Sequence, residues 1–208
     1  MKNKNFNIYK DSDLIVQISN YCDKDCDRCY IKDLFSSSYL PIQVLNQEKY
    51  LNKISSIKSG VISLRGGEPT MVNNWFEKFV LPAIQMDLCV IIDTDGYFIG
   101  RNNYKDILLK LSHKKIFIRV SFDKSHYMIS NDFKKMAVFA NDAINHGIQF
   151  NFYSLGMKRS EILKFLNGTE LEKYRSFFYT LRYYKNISRV KLKGEYLRVD
   201  GKIFNKIL

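Results

Sequence analysis

An α/β fold, with a mainly parallel sheet and its helices outside, is predicted by two observations. The hydrophobic pattern switches repeatedly between short, nearly continuous apolar runs and stretches with apolar residues at helical spacing. The apolar runs read as strands apolar on both sides, each followed by a crossover helix, the arrangement that buries a parallel sheet. At 208 residues, 46% hydrophobic and 14% aromatic, the chain has the material for one domain with a sizeable core, which excludes disorder as its dominant state.

The elements follow in order. LIVQIS, residues 14–19, reads as a buried strand, and residues 44–57 carry Val44, Leu45, Leu51, Ile54 and Ile57 on one helical face. VISL, residues 61–64, is a second strand that runs into RGGEPT; Trp75, Phe76, Phe79 and Val80 then mark a helix that Pro82 is expected to end. LCVIID, residues 88–93, is a third strand, with Cys89 read as a core cysteine. A short helix over 103–112 leads to IFIRVSFD, residues 116–123, as the fourth strand. In the next helix Asp132 is the expected cap, Phe133, Met136, Ala137, Ala140 and Ile144 the buried stripe, and Gly147 the stop. IQFNFY is strand five, and Leu171, Tyr174, Phe178 and Leu181 recur at helical intervals as a late helix. RVKL reads as a sixth strand, and EYLRVDGKIF as a hairpin turning on Asp200-Gly201. The whole chain, 1–208, is thus one domain with its motifs in a core over 14–153 and a helix, last strand and hairpin over 154–208.

The N-terminal segment lacks the apolar stretch of a signal peptide, and no run has the length of a membrane span, so a cytoplasmic protein with reduced thiols is expected. The net charge of +12 is uneven: from Lys173 onward ten Lys or Arg stand against two acids. Such a basic tail suits RNA, phosphate or an acidic peptide, and equally a solvated surface.

Cys22, Cys26 and Cys29 lie within eight residues, directly after the first strand, and supply no fourth ligand. A structural zinc site takes four, so zinc here requires a distant partner such as one of the three histidines, His113, His126 or His146. An iron-sulfur cube fits the count differently, since three thiolates hold three irons and leave the fourth open to a small molecule. The polar motifs fall where parallel sheets place ligands, at the carboxyl ends of strands: the cysteines, then Gly66 to Pro69, then Asp93 to Gly96, then Ser121 to Asp123. Gly66 and Gly67 permit close backbone approach to a ligand, and Glu68 can accept from an amine.

The spacing Cys-x3-Cys-x2-Cys followed by Gly-Gly-Glu-Pro resembles the radical S-adenosylmethionine (SAM) superfamily over residues 14–153. Tyr30 adds to the match, whereas Arg28 departs from the aromatic or apolar residue common before the last cysteine. The resemblance implies a partial (β/α)6 TIM-like barrel. It also implies that Cys22, Cys26 and Cys29 hold a [4Fe-4S] cluster, whose open iron is chelated by the amine and carboxylate of SAM, and that an external one-electron donor reduces it. SAM would then be cleaved to methionine and a 5′-deoxyadenosyl radical that abstracts hydrogen from a substrate. It assigns Gly66, Gly67, Glu68 and Pro69 to the SAM amino group, with Ser121 as a ribose or carboxylate candidate and Asn151 as a candidate near the ribose. Asp95 replaces the Asn of a Thr-Asn-Gly segment; it and Asp93 read either as substrate or SAM contacts or as a strand-ending turn. Asp123 likewise meets substrate or caps a loop.

No cysteine follows Cys89, so no auxiliary cluster is expected. The first substrate reading is a peptide or protein segment held partly by the basic region, including Lys191 and Lys193. A nucleotide, RNA or small metabolite is the alternative, and an iron-sulfur or zinc RNA-binding module is the non-enzymatic one.

Overall fold

The computed structural model describes residues 12–24, 26, 29, 42–122, 130–155, 157–181, 195–200 and 203–204. The strands are β1 (Leu14–Ser19), β2 (Val61–Gly66), β3 (Cys89–Thr94), β4 (Ile116–Ser121), β5 (Gln149–Leu155), β6 (Phe178–Leu181), β7 (Glu195–Leu197) and β8 (Ile203–Phe204). They form one sheet in the order β6-β5-β4-β3-β2-β1-β7-β8. Every pairing is parallel except the antiparallel β7–β8 pair. Helices α1 (Gln47–Ser55), α2 (Leu81–Gln85), α3 (Tyr104–Leu111), α4 (Ser130–Asn145) and α5 (Arg159–Leu166) alternate with the strands, giving the α/β partial barrel that the sequence predicts.

Side chains alternate along each strand, and the two faces differ. One face, Leu14, Val16 and Ile18 on β1, Leu64 on β2, Ile92 on β3, Ile118 and Val120 on β4 and Phe152 on β5, is buried in a single apolar cluster shared with the helices. The other, inner face carries Gln17, Ser63, Arg65, Asp93, Arg119, Ser121, Asn151 and Tyr153. The strands are therefore not apolar on both sides as expected. The alternation is concealed in sequences such as IFIRVS, where one charged residue sits among large apolar neighbours.

Several boundaries differ for physical reasons. Pro82 does not end the helix: a wide π turn over Phe76–Val80, with Leu81 N–H donating to Phe76 O, precedes α2 and leaves Pro82 in its first turn, where its missing N–H costs nothing. Cys89 is exposed at the start of β3 rather than in the core. In α1 the buried residues are Tyr50 and Ile54, and Val44 stays outside it, bridged to Ser19. Helix α4 begins at Ser130, so Asp132 lies inside it, and its stripe is Met136, Phe139, Ala140 and Ala143, with Ile144 exposed. Gly147 stops it with φ 66°. The late helix expected from Leu171 to Leu181 is instead a 3-10 turn over Glu172–Phe177 and strand β6, which takes Phe178 and Leu181, while α5 lies ahead of it. The hairpin forms, but Leu197 pairs with Ile203, a register that a two-residue Asp-Gly turn does not make. RVKL lies outside the described residues.

Aromatic rings bind β5 to its helices. Phe139 lies edge-on to Phe98, Phe150 and Phe152 at 5.3–6.5 Å, fully buried. Phe139→Ala is expected to lower the unfolding free energy by about 3–5 kcal/mol, measured by urea titration.

Candidate active site

The carboxyl end of β1 carries the cysteine loop. A register shift between Gln17 and Ser19 bulges β1 against β2, and Ser19 then pairs with Gly66. The pairing continues beyond the strands: Gly67 N–H donates to Ser19 O at 2.7 Å and Glu68 N–H to Tyr21 O at 2.7 Å. A Cβ at Gly67 would stand 1.8 Å from Tyr21 O, and one at Gly66 2.3 Å from Ser19 O. Both glycines are thus required by the approach of the cysteine-bearing segment itself, a demand the sequence reading placed on a ligand.

Glu68 is the hub of this end. Its side chain is 1% exposed. Oε1 accepts from Thr70 N–H (2.9 Å), Thr70 Oγ1 (2.6 Å) and Thr94 Oγ1 (2.7 Å), while Oε2 accepts Asp95 N–H at 2.6 Å. Through the first of these it caps the 3-10 turn that Pro69 opens. Three of these bonds converge on Oε1 and one on Oε2, so Glu68 joins the segment after β2 to the end of β3. Thr70 and Thr94, which complete the hub, were not singled out from the sequence; a threonine two residues after the glutamate was the available signal.

Cys22, Cys26 and Cys29 are all half-buried. The Cys22 thiol points at Asp95 Oδ2 at 4.0 Å and accepts Lys24 N–H at 3.4 Å. Burial pushes the Cys22 pKa up to about 12, with Asp95, Glu68 and Asp23 adding to the rise and the Lys24 amide opposing it. Burial, and next the Glu68 charge, push Asp95 up to about 9. Cys22, Asp23 and Asp95 place ligand atoms within 4.8 Å of one another. Among the described residues the three thiols do not converge that closely, as they would around a single zinc with sulfurs at about 2.3 Å. Three half-buried sulfur donors on one loop fit an iron-sulfur cluster with an open iron. Beside the loop a cavity of about 300 Å³ is lined by Asp23, Lys24, Asp95, Tyr97, Arg101 and Lys135, with the Arg101 guanidinium 3.8 Å from the Tyr97 ring centroid.

Deeper on the inner face, Asp93 receives two arginines. Arg65 Nε is 2.7 Å from Oδ2, and Arg119 Nη2 donates to Oδ2 at 2.9 Å while its Nε stands 2.8 Å from Oδ1 as an ion pair without hydrogen-bond alignment. Ser63 Oγ also donates to Asp93 Oδ2, at 2.9 Å. Burial draws the Arg119 pKa down while Asp93 resists the shift. Asp93 is thus held inside the sheet, and Arg65, Arg119 and Ser63 are site-forming residues the sequence reading missed. Ser121 Oγ meets the Tyr153 hydroxyl at 2.9 Å, and Asn151, the third residue of β5, is 5% exposed. Tyr30, Asp123, Lys191 and Lys193 lie outside the described residues.

No protein-family profile matches the sequence, and no curated protein does. Solved structures match its fold. anSMEcpe, an anaerobic sulfatase-maturating enzyme of the radical SAM class, with bound AdoMet superposes with a TM-score of 0.60 at 17% identity, over 86% of this chain and 51% of that one. Native anSMEcpe with AdoMet and the Cp18Cys peptide gives 0.56 at 17% identity, over 81% and 50%; with the Kp18Cys peptide it gives 0.59 at 18%, over 86% and 52%. The chain spans about half the length of these neighbours, and it has the fold of a radical SAM enzyme.

Because both Glu68 oxygens face donors, Glu68→Gln places an NH2 against a hydroxyl or an amide. It is expected to destabilise the protein by about 1–3 kcal/mol in urea unfolding before any ligand is added, and an unchanged midpoint would remove its structural role.

Proposed function

We propose that this chain is a radical SAM enzyme, with a [4Fe-4S] cluster held by Cys22, Cys26 and Cys29. The observation that carries the proposal is the latch between the cysteine loop and Gly66–Gly67–Glu68: two motifs far apart in sequence are tied by backbone bonds at one end of a radical SAM fold. When bound, the cluster and SAM supply reductive cleavage to a 5′-deoxyadenosyl radical that abstracts hydrogen from the substrate. The chain's own residues do the positioning. Gly67 and Glu68 fix the height of the cysteine loop, and Glu68, through Thr94 and Asp95, fixes the end of β3 against it. The segment from Gly66 to Pro69 meets the SAM amino group, with Glu68 Oε1 engaged by Thr70 and Thr94 and Oε2 by the Asp95 amide. Ser121 on the rim contacts SAM and Asp95 faces the substrate side, and the same reading assigns Tyr30 to cofactor binding and Asp123 to substrate binding. The inner face of the sheet gives the substrate a polar, water-poor wall.

The substrate we infer is a peptide or protein segment. Support comes from the two neighbours that carry bound peptides and from the concentration of positive charge after Lys173, with an external one-electron donor as second partner. Anaerobic reconstitution should load one four-iron cluster per chain and, with SAM and reductant, yield 5′-deoxyadenosine. Cys26→Ala should lose the cluster and the product together while the apo fold melts unchanged; a chain that takes only zinc would overturn the assignment. Mass spectrometry after incubation with peptides and with RNA tests the substrate class, and modification confined to RNA would reject the peptide.

Lys191→Glu with Lys193→Glu should leave substrate-free SAM cleavage intact and weaken peptide binding more at low salt than at high, because exposed charge attraction is screened. Equal affinities at both ionic strengths would reject docking by these lysines.

A further inference from the structure

Ser121 and Tyr153 stand where the inner face reaches its rim. Ser121 is the last residue of β4, and Tyr153 on β5 is its direct partner in the parallel register, so the two side chains share a face. Thr94, which bonds Glu68 at the end of β3, pairs with Val120, so Ser121 lies one position beyond the level of that hub, at the same end of the sheet. Both residues are half-buried, unlike Arg119 and Asn151 deeper on the same strands. Ser121 Oγ donates to the Tyr153 hydroxyl at 2.9 Å. Burial, and next the Asp93 charge, push the Tyr153 pKa above the usual phenol range, so its hydroxyl keeps its proton at neutral pH.

A serine side chain has three staggered positions, and without a partner it divides its time among them. The tyrosine is carried by β5, which is held between β4 and β6, and its ring brings the hydroxyl to a fixed point beside the serine. A hydrogen bond to that point selects one serine rotamer. We propose that Tyr153 is a positioning residue for SAM binding: its hydroxyl holds Ser121 Oγ in the orientation that meets SAM. The inference rests on the reading above that Ser121 contacts SAM, and it names the side chain through which that contact is made effective.

The test is a double-mutant cycle on the full-length reconstituted chain, with SAM binding to the unreduced protein measured by equilibrium dialysis and iron content measured on each sample. Ser121→Ala is expected to weaken SAM binding about five- to tenfold and Tyr153→Phe about three- to fivefold, the range of one hydrogen bond. In the Ser121→Ala background, Tyr153→Phe should have no further effect, because the group that it positions is gone. A loss of equal size in both backgrounds would mean that the tyrosine acts through packing or through a contact of its own, and would overturn the proposal. No loss in either background would do the same. Under turnover Tyr153→Phe should raise KM for SAM more than it lowers kcat, and the reverse order would also count against positioning. The levels separate cleanly. A fully loaded chain that binds no SAM rejects the radical SAM reading, and normal SAM binding by Ser121→Ala rejects the Ser121 contact; either result ends this proposal as well. Weakened binding by Ser121→Ala with none by Tyr153→Phe rejects this inference alone.

Discussion

The carboxylate of Glu68 is the constraint on which the site depends. Buried almost completely, it must be hydrogen-bonded, and it reaches four donors drawn from its own turn and from the end of β3. Its backbone amide, with that of Gly67, reaches in the opposite direction to the segment carrying Cys22. One residue thereby fixes three strand ends relative to one another. The motif order along the chain becomes a spatial arrangement because neighbouring strands in a parallel sheet all end on the same side.

The polar inner face is the second organising feature. A buried guanidinium is unfavourable unless paired, and Asp93 pairs two of them at the centre of the sheet. The outer face needs no such care, since it is filled with aliphatic and aromatic side chains against the helices. The same alternation of side chains thus separates a packing surface from a chemical one, and it places Asp93, read from the sequence as a turn or a substrate contact, in a structural role.

Much of this was legible in the sequence because it rests on local pattern. Strands β1 to β5 and the helix ended by Gly147 follow from runs and spacing, and the cysteine and Gly-Gly-Glu-Pro segments announce themselves by composition. What stayed hidden depends on partners distant in the chain. Gly66 and Gly67 are explained by Ser19 and Tyr21, across a strand pair, and Arg119 by Asp93 on a neighbouring strand. Helical spacing misled at Phe178 and Leu181, because the interval of three from Leu171 to Tyr174 suits a 3-10 turn and the chain then runs directly into a strand. Pro82 misled because a wide turn ahead of it had already altered the hydrogen-bond pattern.

Strand β1 is flanked on one side by β2 and on the other by β7, with Leu14 paired to both Ile62 and Glu195. The strand that leads into the cysteines is therefore interior to the sheet, with one neighbour close in the chain and the other, β7, beyond β2 to β6 in sequence. Among the strand pairings described, the one with β7 joins the most distant segments, which makes closing that edge of β1 an entropically slow step of assembly. The cysteine loop is consequently tethered on one side by a short-range pairing and on the other by the longest-range one.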